Sequence, residues 1–238
     1  MSPGSRTAIV FAREPIAGKT KTRLALRVGD ATAAVLADAF LRDTLAKVKA
    51  LRIRVVIAAA TPQGVIESRY FRDLAETYGT ALIDQAMGGL GARMSHALRP
   101  YVENGAAILI GSDLPSLPVT HLERALALLA QYDTVLGPAL DGGYYLVGAR
   151  APLPEIFRGM TWGKKGVFKE TTSRLRAAGT RYALAPWWYD VDEGASLMML
   201  TAHLFRRKRL GALLNTCMPL GRKCPCPTTA AILARLEI

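Results

Sequence analysis

Ala106-Ala107-Ile108-Leu109-Ile110-Gly111-Ser112-Asp113-Leu114-Pro115 is the stretch on which the fold of this chain turns. A short apolar run stops at a glycine, and one carboxylate stands just beyond it. An unbroken apolar run of this length fits a strand buried on both faces, as in a parallel sheet. In open α/β sheets, ligands bind just outside the carboxyl ends of the strands. An acid placed there can hold a divalent cation on a phosphate, so Asp113 is the first candidate functional residue. Asp also caps helices. Here Pro115-Ser116-Leu117-Pro118 separates Asp113 from the next helical segment, which weakens the capping role.

Working outward, residues 7–11 predict a first strand, followed by a loop marked by glycine and proline. An Ala/Leu-rich helix is then expected from about Asp30 to Ala50. Residues 52–60 are rich in Val and Ile and predict a strand. Residues 65–78 have helical periodicity that stops at Gly79, residues 81–84 a short strand, and residues 90–101 a helix. Pro118 suits the first turn of a helix running to Gln131, and residues 134–137 predict another strand. This alternation argues for a parallel sheet with helices on both faces. The pattern then changes: the strand expected at 143–149 is followed by a proline-rich segment rather than a crossover helix. A helix at 164–178, a strand at 181–185 and a helix at 193–204 complete one α/β domain, with no internal repeat. Residues 205–238 form a basic C-terminal extension.

Half of the 238 residues are apolar, which suits a globular chain with a sizeable core. No apolar run approaches the ~18 residues of a membrane span. The first residues lack the apolar stretch and cleavage site of a signal peptide, so a cytoplasmic protein is expected. Cys217, Cys224 and Cys226 are too few and too poorly spaced for a structural zinc site and read as ordinary thiols. The net charge of +12 suits polyanionic partners. Half of it lies in residues 205–238, with seven basic residues against Glu237. Arg206 to Arg209 could touch a membrane surface or RNA, but a solvated basic helix end accounts for one four-residue run more simply.

Four loops carry the chemistry. The first, Gly18-Lys19-Thr20-Lys21-Thr22-Arg23, combines a permissive glycine, three cations and two hydroxyls between a strand and a helix, which suits a di- or triphosphate. It is not a Walker P-loop, because Arg13 stands where that motif needs glycine. The competing explanation is a basic surface turn. The second, Gln85 with Met87-Gly88-Gly89-Leu90-Gly91, could offer backbone groups to a nucleobase, with Arg93 as a phosphate contact or a helix-surface residue. The third, Asp141-Gly142-Gly143-Tyr144-Tyr145, is either an acceptor-holding loop or an Asp-Gly hairpin turn. The fourth, Asp190-Val191-Asp192, points two carboxylates the same way in extended chain, able to complete a metal site with Asp113 or to cap the next helix. The chain has no H-E-x-x-H, G-x-S-x-G or G-x-G-x-x-G motif and no RNP-like aromatics.

Together, Gly18 to Leu24, Gly111 to Pro115, Gly137 to Tyr145 and Asp190-Val191-Asp192 resemble the bacterial glycosyltransferase-A-like transferases associated with radical-SAM and selenium-domain proteins. More distantly, they are similar to the molybdenum-cofactor and phospholactate guanylyltransferases. The resemblance covers residues 6–200 and leaves the extension outside. It implies a single Rossmann-like, three-layer α/β domain of the nucleotide-diphospho-sugar transferase (GT-A) type over residues 1–204, with a mostly parallel sheet. It implies Lys21, Arg23 and Asp113 as catalytic residues, and Asp113, Asp190 and Asp192 as ligands of Mg²⁺ or Mn²⁺. Gly18, Thr22, Gln85, Gly88 and Gly91 would bind nucleotide, and Asp141, Gly142, Gly143, Tyr144 and Trp162 the acceptor. The chain departs from the family pattern at Gly89, where many relatives carry an acid, and at Gly163-Lys164 after Trp162, which bears on acceptor recognition.

The expected activity is metal-dependent transfer from a nucleotide to a small molecule. Nucleotidyl transfer from an NTP to a phosphate- or phosphonate-bearing acceptor is favoured by the strongly basic first loop. Glycosyl transfer from an NDP-sugar is the alternative, and a non-catalytic nucleotide- or anion-binding module a third. Nucleic acid is not an expected partner.

Overall fold

A computed structural model describes residues 5–103, 105–205, 214, 217–220 and 226–236. The chain runs β1 (Ser5–Arg13), α1 (Thr22–Val28), α2 (Asp30–Ala50), β2 (Arg54–Ala60), α3 (Arg69–Tyr78), β3 (Ala81–Asp84), α4 (Leu90–Val102) and β4 (Gly105–Gly111). It continues with α5 (Val119–Leu128), β5 (Thr134–Pro138), β6 (Tyr144–Ala149), α6 (Pro154–Phe157), α7 (Val167–Ala177), β7 (Tyr182–Leu184), α8 (Gly194–Phe205) and α9 (Pro227–Arg235). Among the described residues, seven strands form one sheet in the order β3-β2-β1-β4-β6-β5-β7. All run parallel except β6, which is antiparallel to both β4 and β5. The protein is therefore α/β with a mostly parallel sheet.

Period-two alternation sends neighbouring side chains of each central strand to opposite faces. In β1, Ala8 and Val10 join the core cluster under α2, α3, α5, α8 and α9, while Ile9 joins the cluster under α4, α6 and α7. In β4, Ile108 and Ile110 face the first cluster, and Ala107 and Leu109 the second. Ile108 and Ile110 are completely buried, so the opening run behaves as the two-faced strand its composition demands. The chain leaves β1 outward to β2 and β3 and returns to pair β4 with β1 on the other side. The carboxyl ends of β1 and β4 thus flank a topological switch point, where two loops diverge and leave a crevice.

Some local expectations shift. The loop expected between β1 and the long helix contains α1, which Gly29 (φ 81, ψ 158) breaks from α2. The helix expected at 65–78 begins only at Arg69, because Ser68 caps it by accepting from the Phe71 amide at 3.3 Å. Pro118 sits just before α5 in extended conformation rather than inside its first turn, and α5 ends at Leu128 rather than at Gln131. The proline-rich segment after β6 contains α6. In the C-terminal extension, α9 packs on α2, with Cys226, Thr229 and Leu233 buried. The buried Asp43 of α2 accepts from the Thr228 and Thr229 amides at 3.1 and 2.8 Å and so caps that helix. Arg206 to Arg209, Cys224 and the residues around them lie outside the described residues.

Candidate active site at the switch point

A cavity of about 820 Å³ opens at the carboxyl ends of β1 and β4. Its wall includes Lys21, Thr22, Arg23, Gln85, Asp113, Asp141, Gly143, Tyr144, Trp162, Asp190 and Asp192. Segments far apart in sequence are thereby brought to one place.

The loop after β1 folds on itself. The Lys19 and Thr20 amides both donate to the Ile16 carbonyl at 3.0 Å, and the Thr20 hydroxyl donates to the Glu14 carbonyl at 2.6 Å. Gly18 (φ +75) makes the turn. Lys21 then adopts a left-handed conformation (φ 52, ψ 43), which costs a side-chain-bearing residue about 1 kcal/mol or more. Its ammonium group donates to Asp113 Oδ2 at 3.1 Å and to Asp192 Oδ1. Arg23 Nη2 reaches Asp192 Oδ2 at 3.0 Å, and Nη1 lies 3.8 Å from Glu193 Oε2.

The loop after β4 places Asp113. A Cβ on Gly111 would lie 2.5 Å from Asp113 Oδ1, so the glycine lets the carboxylate sit where it does. The Val191 amide donates to the Asp113 carbonyl at 2.9 Å, tying the two acidic loops together. The ammonium of Lys47, buried in α2, donates to the Leu114 carbonyl at 2.9 Å and to that of Pro115. Trp188 Nε1 donates to Ser116 Oγ at 3.2 Å, with both residues fully buried. Trp188 also stacks on Tyr189, with ring centroids 5.6 Å apart. The Tyr189 hydroxyl meets His203 Nδ1 at 2.8 Å, and His203 Nε2 lies 2.9 Å from the Met218 carbonyl. A carbonyl only accepts, so Nε2 carries the hydrogen and Nδ1 accepts from the tyrosine. The acids therefore stand on an anchored aromatic base.

Asp113, Asp190 and Asp192 each offer an oxygen within 4.8 Å of the others. Neither Asp113 nor Asp192 spends its carboxylate on a helix cap: α5 has no side-chain cap, and Asp192 is taken by Lys21 and Arg23. Burial works against ionisation of Asp192, but Lys21 and Arg23 outweigh it and hold the carboxyl below its ordinary value. Burial, then the neighbouring Asp113, Asp192 and Asp141, push Asp190 up to about 7. Burial also opposes the charge on Lys21, but Asp113 and Asp192 prevail and its pKa is raised. Three clustered carboxylates form a hard oxygen donor set of the kind Mg²⁺ and Mn²⁺ prefer. The residues present fit such a cation.

The other loops divide. Asp141 Oδ1 accepts from the Gly143 amide at 2.8 Å, and Gly142 (φ +92) turns the chain between β5 and β6. This segment is the hairpin turn that joins β5 to β6, and it also brings Asp141, Gly143 and Tyr144 to the cavity wall. Tyr144 meets Trp162 edge-on, with centroids 6.2 Å apart. Gln85 lines the cavity, but its amide is engaged: Nε2 donates to the Ala12 and Ala58 carbonyls at 3.2 and 2.9 Å, and Oε1 accepts from Arg93 at 3.2 Å. In this arrangement Gln85 ties β1 to β2 and orients Arg93, instead of offering its own edge to a base. Gly88 and Gly91 are absent from the wall. A Cβ on Gly91 would lie 2.8 Å from Phe157 and 3.0 Å from Trp162, so that glycine serves the close approach of α4 to α6. Gly18 and Gly142 shape turns behind the wall. Arg13, Lys164 and Lys165 line the cavity without belonging to any of the motifs singled out as site residues, and Lys47 was hidden as one lysine in a helix.

A protein of Desulfovibrio desulfuricans G20, described as a proposed nucleotide-diphospho-sugar transferase, is similar over 98% of this chain and 95% of its own, at 27% identity and a TM-score of 0.78. The inositol-1-phosphate CTP transferase of T. maritima shares the fold over 94% of this chain and all of its own, at 15% identity and a TM-score of 0.52. So does the 4-diphosphocytidyl-2C-methyl-D-erythritol synthase of Anaerococcus prevotii DSM 20548, over 85% and 99%, at 10% identity and a TM-score of 0.55. No curated protein matches the sequence. The family described as an uncharacterized protein conserved in bacteria, DUF2064, matches residues 41–164, more than half of the chain, and the chain belongs to it.

Proposed function

We propose that this chain is a nucleotide-dependent transferase whose first activity is nucleotidyl transfer from an NTP to a small phosphate- or phosphonate-bearing acceptor. One observation carries the reading: Asp113, Asp190 and Asp192 converge with Lys21 and Arg23 in a cavity at the switch point. Residues 1–204 hold this machinery, and residues 205–238 lie outside it. The similarity to the Desulfovibrio protein supports a transferase. It also favours a second reading, glycosyl transfer from an NDP-sugar.

In the first reaction an acceptor oxygen forms a bond to the α-phosphorus, the bond to the β-phosphate bridging oxygen breaks, and pyrophosphate leaves. Lys21 and Arg23 neutralise the phosphates as they exchange part of their carboxylate contacts for phosphate oxygens. Asp113, Asp190 and Asp192 would hold Mg²⁺ or Mn²⁺, which supplies charge neutralisation on the transferring phosphoryl group. Gly18 and Thr22 support the phosphate loop, Gln85 holds Arg93 toward the nucleotide, and Gly88 and Gly91 shape the loop behind it. Asp141, Gly143, Tyr144 and Trp162 face the acceptor, and Gly142 turns the loop that carries the first three. Nucleotide and acceptor are the partners; no described helix is long and apolar enough to cross a membrane.

A panel of NTPs and NDP-sugars, tested for thermal stabilisation with and without Mg²⁺ or Mn²⁺, checks this reading, because a ligand that binds the folded state raises its melting temperature. At least one nucleotide is expected to shift the curve in a metal-dependent way, and Asp113→Asn to remove that dependence while remaining folded. Pyrophosphate among the products supports the first reaction, a released nucleoside diphosphate the second. Nucleotide binding unaffected by metal and by Asp113→Asn would leave the non-catalytic binding module as the better description.

A further inference from the structure

We propose that Lys164 and Lys165 form a separate anion subsite in the same cavity, one that takes a phosphate, phosphonate or comparable dianion carried by the acceptor. Both line the cavity. Neither forms an ion pair among the described residues. The nearest acid in sequence, Glu170, pairs with Arg174, and Asp141, which lines the same cavity, turns Oδ1 onto the Gly143 amide at 2.8 Å. Lys21 and Arg23, in the same cavity, already face carboxylates. Arg13 and Lys19, which also line the cavity, belong to β1 and the loop after it, whereas Lys164 and Lys165 lie against the Asp141–Gly143 turn and supply the unpaired positive charge on that side.

The segment that carries the pair is held in place. Before it, the Trp162 ring is fixed against Tyr144 and lies 6.3 Å from the Phe157 ring. After it, the Phe168 amide donates to the Gly142 carbonyl at 3.0 Å. Gly142 has no side chain, and a Cβ there would stand 3.4 Å from the Gly166 nitrogen and 3.6 Å from the Lys165 Cα. The lysine segment thus lies against the turn that carries Asp141 and Gly143. Gly163 (φ +77) and Gly166 (φ +104) bracket the two lysines and set the shape of the loop. Consecutive lysines on an anchored backbone can turn both flexible ammonium groups onto one dianion, which then accepts charge-assisted hydrogen bonds from each.

The subsite is inferred from the cavity, while the word acceptor rests on the transferase reading. The same chemistry could come from the terminal phosphates of the nucleotide, so the test separates the two sources. Inorganic phosphate is titrated calorimetrically into the free protein and into protein saturated with metal and a stabilising nucleotide, for the wild type and for the Lys164→Gln, Lys165→Gln double variant. Both side chains are exposed, so the variant is expected to melt with the wild type. The expected result is phosphate binding in both settings that weakens about tenfold or more in the variant, with nucleotide affinity changed by less than about twofold. Equal phosphate binding by the two proteins would overturn the subsite. A loss of nucleotide affinity with unchanged phosphate binding to the loaded protein would reassign the lysines to the nucleotide. If no nucleotide binds, the transferase reading fails, and the free-protein titration still decides the lysine pair.

Discussion

Gly111 shows how much of the site depends on an atom that is absent. It ends β4, and the space where its Cβ would lie is 2.5 Å from Asp113 Oδ1. Gly111→Ala is expected to push the carboxylate away from Lys21 and from Asp192. The overlap costs about 1–3 kcal/mol of stability if the loop does not yield, and less if the carboxylate rotates aside. Either way, metal-dependent stabilisation by nucleotide is expected to fall sharply while the protein still folds. A thermal-shift titration of nucleotide with and without Mn²⁺ reads this directly, and a Gly111→Ala protein as metal-responsive as the wild type would show that the Asp113 position is unimportant. The glycine was legible only as the end of an apolar run; its steric role needed the turn of the chain back over itself. Asp113, Asp190 and Asp192 were legible because acids beyond strand ends are conspicuous, and because residues i and i+2 share a side in extended chain. Lys47 was not legible, since one lysine among the polar positions of a long helix carries no sign that it will be buried beneath a loop from another part of the chain.

Elements that bring no chemistry to the cavity still hold it. Trp188 and Tyr189 lead directly into Asp190, and His203 on α8 accepts the Tyr189 hydroxyl. Burial lowers the pKa of His203, and likewise that of His121, which meets Trp188 edge-on at 5.0 Å. The unfolded chain takes up protons at these positions more readily than the folded chain does, so acid favours unfolding. Their contribution to stability is complete above the ordinary histidine value of 6.5 and is lost as pH falls below it toward the folded-state values. The histidines therefore contribute a drop in melting temperature between pH 7.5 and pH 5.5, opposed by Asp190, which is raised to about 7 and takes up its proton in the folded state over the same range. In His203→Gln, which keeps a donor and an acceptor but does not titrate, the drop is expected to shrink. Equal slopes in the two proteins would remove His203 from the account. Helix and strand order were readable in advance because periodicity is local. The boundary shifts came from caps and breaks: Ser68 delays α3, and Gly29 turns an expected loop into a helix–helix junction. These depend on single backbone conformations that a periodicity pattern averages over.

At the scale of the whole molecule, the alternation of strands and helices foretold a mostly parallel sheet, while the reversal of β6 comes from the short turn that joins it to β5 and was not assigned from the pattern. Which strands pair was not visible, because register and order depend on contacts between residues distant in sequence. The C-terminal extension was read from its charge alone. Charge describes how a segment meets solvent, not whether another part of it has an apolar face to bury, and the Pro227 start with the Ala-Ala-Ile-Leu run of α9 is a helix signal that the charge obscured. With Thr229 fully buried, Leu233 2% exposed and Asp43 capping α9 from α2, the far end of the chain is part of the same core. Truncation after Leu204 would uncover that face of α2 and return the Asp43 carboxylate to water. Losing one buried leucine, the packing around it and the cap is expected to cost about 2–4 kcal/mol. Urea unfolding of the 1–204 protein reads this as an earlier midpoint, whereas an unchanged midpoint would mean that α9 adds nothing to the core. Since α9 contributes no residue to the cavity wall, the truncated protein is expected to keep its nucleotide-dependent stabilisation wherever it remains folded. Loss of that stabilisation at a temperature where the truncated chain is still folded would place part of the nucleotide site in residues 205–238.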